Sequence, residues 1–314
     1  MDDRWIRSHR SPKNQVDEHL PYAFLVEEEY TASGTVENVA TLFLTNKECP
    51  FRCLMCDLWK NTTDEKVQTG SIPAQIVYAL ERLPSTKHIK LYNSGNFFDV
   101  KAIPPEDYKT IASLLEPFET VIVECHPKLI NDSCLAFRDM IRGQLEVAIG
   151  LETAHPEVLD KLNKRMSLDD FSQSVGFLND HGIRSRAFIL LKPPFMTEQE
   201  GVYWAKRTID FAFDAGVECC VVVPTRAGNG AMDVLEAGGF FSKPSLDSLE
   251  EVLDYGIALG RGRVFADVWD LEIFADCQKC IDARKKRLET INLRQEPMPE
   301  IACECRLTGD FQRI

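Results

Sequence analysis

The sequence predicts an α/β fold: a partial (β/α)6-type TIM barrel followed by a small Cys-rich C-terminal appendage. Three observations predict it. Short runs rich in Val, Ile, Leu and Phe alternate with longer helical stretches, and repeated strand–helix units make parallel sheets. About six such units follow one another, which suits a partial or complete barrel better than an open doubly wound sheet. No GxGxxG follows the first strand, which weakens a dinucleotide-binding reading.

Residues 1–36 read as a polar N-terminal extension with little periodicity. Strands are expected at Val39–Thr45, His88–Tyr92, Thr120–Glu124, Leu145–Leu151, Arg186–Leu191, Glu218–Val223 and Val264–Val268. Their composition fits strands buried on both faces. Helical patterns run over Ile72–Arg82, Tyr108–Leu115, Leu168–His181, Glu198–Ala215 and Leu246–Leu259. Gly182, Gly216 and Gly260 stand where the last three should stop. From about Trp269 the pattern changes to a cysteine-bearing stretch with one charged helix, Asp282–Glu289, and a loop holding Pro297 and Pro299. The expected division is an extension (1–36), a core (37–270) and an appendage (271–314). No internal repeat or low-complexity tract is visible.

Hydrophobic residues make up 44% of the chain and charged residues 27%, as in soluble globular proteins. No apolar run approaches the ~20 residues that span a bilayer. The stretch Met1–Asn14 lacks the apolar segment of a secretory signal, so the expected compartment is the cytoplasm. A net charge of −13 is unlike that of a protein gripping nucleic acid unaided, whose phosphate contacts call for basic surface. A local basic patch or a basic partner stays open.

Of eleven cysteines, seven fall in two tight groups, a cytosolic pattern of metal binding or chemistry. The first group is Cys49, Cys53 and Cys56, directly after the first predicted strand and so at the mouth where barrel active sites sit. Three thiolates on one loop can hold three irons of a [4Fe–4S] cluster and leave the fourth iron open for a small molecule. The plain alternatives are a zinc site short of one ligand or three buried cysteines. Zinc sites favour a CxxC pair plus a distant second pair, which fits the triplet poorly.

Other strand ends carry polar groups. Glu124 and His126 at a barrel mouth are natural acid–base or binding groups, or else a solvated acid and a cap. Lys192, before Pro193 and Pro194, can meet an anion or lie on the surface. The glycines of Val223–Gly230 allow close backbone approach to a ligand such as adenine, and a simple loop fits as well.

The CxxxCxxC spacing at this place in a βα chain resembles the radical S-adenosylmethionine (SAM) superfamily, over roughly residues 37–270. The resemblance implies a [4Fe–4S] cluster whose open iron binds SAM, and cleavage of SAM to a 5′-deoxyadenosyl radical. It also implies a reductant protein such as a flavodoxin or ferredoxin. Met55 departs from the aromatic residue often found before the third cysteine. Asn93, Ser94 and Gly95 match in place the motif that receives the SAM amino group, without its usual acidic residue; a plain turn is the alternative. The run Gly150-Leu-Glu152, a helix, then Lys164-Arg165 looks like the segment shared by the elongator catalytic subunit and oxygen-independent coproporphyrinogen oxidases. It implies that Glu152 reaches the SAM ribose and Arg165 its carboxylate, and a guanidinium does fork well onto a carboxylate. Lys192 could also meet that carboxylate. Together with the 91–99, 191–198 and 223–230 runs, the chain most resembles the radical SAM subunit of archaeosine synthase and its uncharacterised relatives. That likeness implies a tRNA base as substrate and a partner enzyme. No residue is singled out as catalytic.

The second group, Cys277, Cys280, Cys303 and Cys305, has two-pair metal spacing. Zinc would staple an appendage with little core of its own, and an auxiliary iron–sulfur cluster is the rival. Cys125, Cys134, Cys219 and Cys220 fall in predicted core elements, where small buried hydrophobes are the default. The rival to an enzyme is a non-enzymatic, zinc-stabilised binding module that contacts a partner through Arg284–Arg287.

Overall fold

The apolar runs pair in chain order into one eight-stranded sheet. A computed structural model of the chain describes residues 1–303 and 305. Its strands are β1 (Ala23–Tyr30), β2 (Val36–Phe43), β3 (His88–Tyr92), β4 (Thr120–Glu124), β5 (Gln144–Glu152), β6 (Arg184–Leu191), β7 (Cys219–Pro224) and β8 (Arg263–Ala266). β1 and β2 form an antiparallel hairpin, and β2 to β8 are parallel. The helices are α1 (Asp3–Ser8), α2 (Ser71–Leu80), α3 (Tyr108–Leu114), α4 (Asp132–Met140), α5 (Pro156–Lys161), α6 (Leu168–Asp180), α7 (Glu198–Asp214), α8 (Ala231–Ala237), α9 (Leu246–Leu259) and α10 (Ile281–Arg294). Helices α2 to α9 occupy the crossovers between successive parallel strands, which gives a partial TIM barrel.

Local chemistry sets the helix ends. Ser167 and Asp170 close a capping box at α6, and Thr197 and Glu200 close one at α7. Gly182, Gly216 and Gly260 follow α6, α7 and α9 with positive φ, as a glycine stop requires.

The strands obey a period of two. Ile89, Leu91, Val121, Val123, Leu145, Val147, Ala187 and Ile189 join the main hydrophobic core. The intervening Lys90, Glu146 and Arg186, with Arg263 at the head of β8, are buried as well. Expecting apolar residues on both strand faces therefore needs correction at the barrel floor, which is ionic. Arg186 meets Glu29 at 2.6 Å and Glu146 at 2.6 Å, Lys90 meets Glu29 at 2.5 Å, and Arg263 meets Glu146 at 3.1 Å. Buried charges survive only when paired, and Glu29 comes from β1. The stretch read as a featureless extension thus supplies one helix and the strand that neutralises the floor.

The sheet does not close on itself. Helix α10 packs against both of its edge strands, β1 and β8. Side chains of α10 satisfy the free edge of β8. Gln295 accepts from Val264 N at 2.7 Å and donates to Val264 O at 3.0 Å. Asn292 does the same at Ala266, at 2.9 and 2.8 Å. Arg284 and Arg287, expected as a contact surface, are instead buried against α9: Arg284 pairs with Glu250 at 2.8 Å and Arg287 with Asp254 at 2.7 Å. Residues 304 and 306–314 of the expected appendage lie outside the described residues. Among those described, no helix is long and apolar enough to cross a membrane.

Candidate active site

The carboxyl ends of the parallel strands open into a cavity of about 800 Å³. Cys49, Cys53 and Cys56, on the loop between β2 and α2, all line it. So do Ser94, Gly95 and Asn96 after β3, Glu124 and His126 after β4, Glu152 at the end of β5, and Lys164. Three of these strand ends turn outward through left-handed backbone, at Ser94 (φ 53°), Glu152 (φ 66°) and Lys192 (φ 52°). Non-glycine residues held this way store strain that clusters at functional sites.

The cysteine loop suits a cationic guest. Burial pushes the Cys49 and Cys53 thiols up to about 11 and Cys56 to about 12. They stay protonated until a metal exchanges for the protons. Asn96 Nδ2 donates to Cys49 Sγ at 3.1 Å, a hydrogen bond that favours the thiolate. Asn96 Oδ1 accepts from His126 N at 2.6 Å, which fixes the amide's orientation. Gly95 lets the turn lie against the loop: a Cβ there would sit 3.3 Å from Cys49 Cβ.

The 93–95 turn rests on Glu124. Its Oε1 accepts from Asn93 N at 2.6 Å and Gly95 N at 3.1 Å. Burial still wins and pushes the Glu124 carboxyl up to about 7, with these amides pulling it back. Tyr22 and Ser94 join hydroxyls at 3.0 Å. The Asn93 side chain is buried with neither amide atom hydrogen-bonded, an orphaned polar group beside the cavity.

On the other wall, Lys164 Nζ meets Glu152 Oε1 at 2.6 Å. Burial opposes the lysine's charge, but Glu152 outweighs it, so Lys164 holds its proton. A bulge between Gly150 and Glu152 aims the carboxylate inward. A Cβ on Gly150 would lie 2.3 Å from Glu152 Oε1 and 2.4 Å from Lys164 Nζ, so the pair needs glycine there. His126 is no acid–base group at neutral pH. Burial and Lys164 push its imidazole down to about 3, and it stacks on Phe51 at 3.6 Å.

Two expected residues lie elsewhere. Arg165 is exposed and pairs with Asp3 at 2.7 Å. It follows Lys164 in sequence, and the left-handed turn there sends the lysine inward instead. Lys192 is buried behind the cavity against Glu198 at 2.6 Å and Ser242 at 2.9 Å, locking β6 to α7. The 223–230 loop holds protein rather than presenting its glycines to the cavity. Asn229 Nδ2 donates to Leu54 O at 2.8 Å and Cys56 O at 3.1 Å, and a Cβ on Gly230 would meet His9 O at 1.8 Å.

The N-terminal segment straps the cysteine loop from outside. Ile6 is buried with Leu54, Leu162 and Met232. Asp3 accepts from Asn163 Nδ2 at 2.8 Å, and that amide also holds Arg52 O at 2.7 Å. Arg10 pairs with Glu48 at 2.7 Å and lies 4.5 Å over the Trp59 ring.

No family model matches the chain. Along nearly its whole length it is similar to an uncharacterised protein of Methanocaldococcus jannaschii, 24% identical over 96% of this chain and 89% of that one. It is also similar to archaeosine synthase subunit beta of Methanosarcina acetivorans, 24% identical over 81% of this chain and 78% of that one. Among solved structures, Elp3 of Methanocaldococcus infernus superposes with a TM-score of 0.52 at 15% identity, over 71% of this chain and 59% of that one. The superposition shows the fold, a partial TIM barrel. The site carries residues that motif reading missed: Asn96, Lys164, Asn229 and the strap. Lys164 left a signal as the neighbour of the arginine chosen instead, and Asn96 and Asn229 lie within the 91–99 and 223–230 runs.

Proposed function

We propose that this chain is a radical SAM enzyme that holds a [4Fe–4S] cluster on Cys49, Cys53 and Cys56, binds SAM in the same cavity, and acts on a tRNA base in company with a partner enzyme. One observation carries the reading: the three cysteines, the 94–96 turn, Glu124 and the Glu152–Lys164 pair line a single cavity. Its volume lies within the range of small-molecule sites, roughly 300–1,000 Å³. The donor set fits the cluster, with three thiols on one loop and an amide already donating to one sulfur.

When bound and reduced, the cluster supplies the electron that cleaves SAM to a 5′-deoxyadenosyl radical, which takes a hydrogen atom from the substrate. The chain's own residues bind, orient and exclude water. Glu124, beside the 93–95 turn, faces a cationic amine, whose charge would ionise the carboxyl. Glu152 offers acceptors for two ribose hydroxyls. Lys164, paired with Glu152, offers the cavity a cation for a SAM carboxylate, the role the resemblance implied for Arg165. The strap and Asn229 keep water from the back of the loop.

The tRNA substrate and the partner rest on the similarity to archaeosine synthase subunit beta. The net charge of −13 means that a partner would supply most of the phosphate contacts. The reductant would be a protein such as a flavodoxin or ferredoxin. Anaerobically reconstituted protein should carry roughly four irons at this site and release 5′-deoxyadenosine from SAM after reduction. Colourless protein that turns over no SAM overturns the reading. A gel shift on bulk tRNA, with and without candidate partners, tests the substrate, and no binding in either case points to a small molecule.

A further inference from the structure

The four sulfurs of Cys277, Cys280, Cys303 and Cys305 lie within 4.8 Å of one another. Cys277 and Cys303 are 3.9 Å apart, and Cys280 and Cys305 are 3.7 Å apart. A tetrahedral ion with metal–sulfur bonds of about 2.3 Å sets its ligands about 3.8 Å apart. A four-iron cluster places each thiolate on its own iron and spreads the sulfurs further. The spacing is therefore that of a single ion.

The position of these ligands gives the ion a task. Cys277 and Cys280 stand immediately before α10, with Cys280 as its N-terminal cap residue. Cys303 and Cys305 lie on the returning strand of chain beyond it, which Arg287 holds through Pro299 O and Met298 O, both at 2.8 Å. Helix α10 in turn fills the gap between β1 and β8, and its Asn292 and Leu293 line the cavity. We propose that one zinc ion on these four thiolates clamps α10 in place as the lateral wall of the cavity. This holds whether or not the reading of the first cysteine loop holds.

The test uses the full chain with Cys49, Cys53 and Cys56 all changed to alanine, so that only the second group can bind metal. One zinc per chain is expected, with no visible absorption. Replacing the zinc with cobalt should give the intense ligand-field bands of tetrahedral thiolate coordination. Removing it with a chelator should raise hydrogen exchange at 263–266 and 281–295 at least tenfold, with β4 and β5 unchanged and zinc restoring protection. Cys303→Ala with Cys305→Ala should abolish zinc binding and show the same exchange pattern. Brown protein with bound iron, or no bound metal, overturns the site. Bound zinc whose removal leaves exchange at 263–266 unchanged overturns the clamp.

Discussion

Glu152 and Lys164 form a buried ion pair at 2.6 Å inside the cavity that the three cysteines line, while the adjacent Arg165 points outward to Asp3. Removing one partner of a buried pair leaves an uncompensated charge and costs about 3–5 kcal/mol. Lys164→Met should therefore lower the melting temperature strongly and suppress 5′-deoxyadenosine release. Arg165→Met should change stability by no more than about 0.5 kcal/mol, as exposed sites do. Thermal melts and SAM turnover on both variants decide it, and equal effects would refute the assignment of Lys164 over Arg165.

Gly150→Ala tests the same pair from the backbone. The added methyl group would occupy the space of Glu152 Oε1 and Lys164 Nζ. The expected result is loss of SAM binding with the iron content retained, read by calorimetry and metal analysis on one sample.

Asn96→Leu removes the donor to Cys49 Sγ and leaves His126 N without its acceptor. Losing an outer hydrogen-bond partner typically costs 10- to 100-fold in metal affinity. Iron release into a chelator under anaerobic conditions should accelerate on that scale.

Glu124 gives a pH signature in the metal-free protein. Its carboxyl sits at about 7 when folded, against an ordinary 4.5. The folded state therefore binds this proton more tightly than the unfolded chain. The resulting stability is full below pH 4.5 and is lost as pH rises through 7, by on the order of 3 kcal/mol. Urea midpoints from pH 5 to 8 should fall accordingly. Glu124→Gln should flatten that slope, since an amide oxygen accepts the same backbone hydrogens without titrating.

Ile6→Ala, at the buried anchor of the strap, should cost about 2–5 kcal/mol of the strap's attachment. Faster bleaching of the cluster in air is the expected readout, together with higher exchange over 48–61.

The barrel was legible because its strands are short, apolar and spaced by capped helices. β3 and β4 fall on the same residues as expected, and α9 does too. β1 was not legible, since AFLVEEEY carries Glu27 and Glu29 inward to a floor whose partners lie in β3 and β6. Local pattern holds no record of partners 60 to 160 residues away. The same reason hid the strap and Asn229, whose targets are backbone carbonyls and side chains distant in sequence. Cys49, Cys53 and Cys56 were legible because one loop holds all three. The inward turn of Lys164 rather than Arg165 depends on left-handed backbone at Asn163 and Arg165, which sequence does not display.

The strap has a consequence for how the protein is made. Residues 3–10 are made before their partners, which include Leu162, Asn163, Gly230 and Met232. Until Met232 has emerged, those partners do not all exist, and the cysteine loop lacks its outer cover. A cluster proposed for that loop would have open access to it during that interval. The closing of Ile6 onto Met232 then ends the interval, so chain order sets when the loop is open and when it is covered.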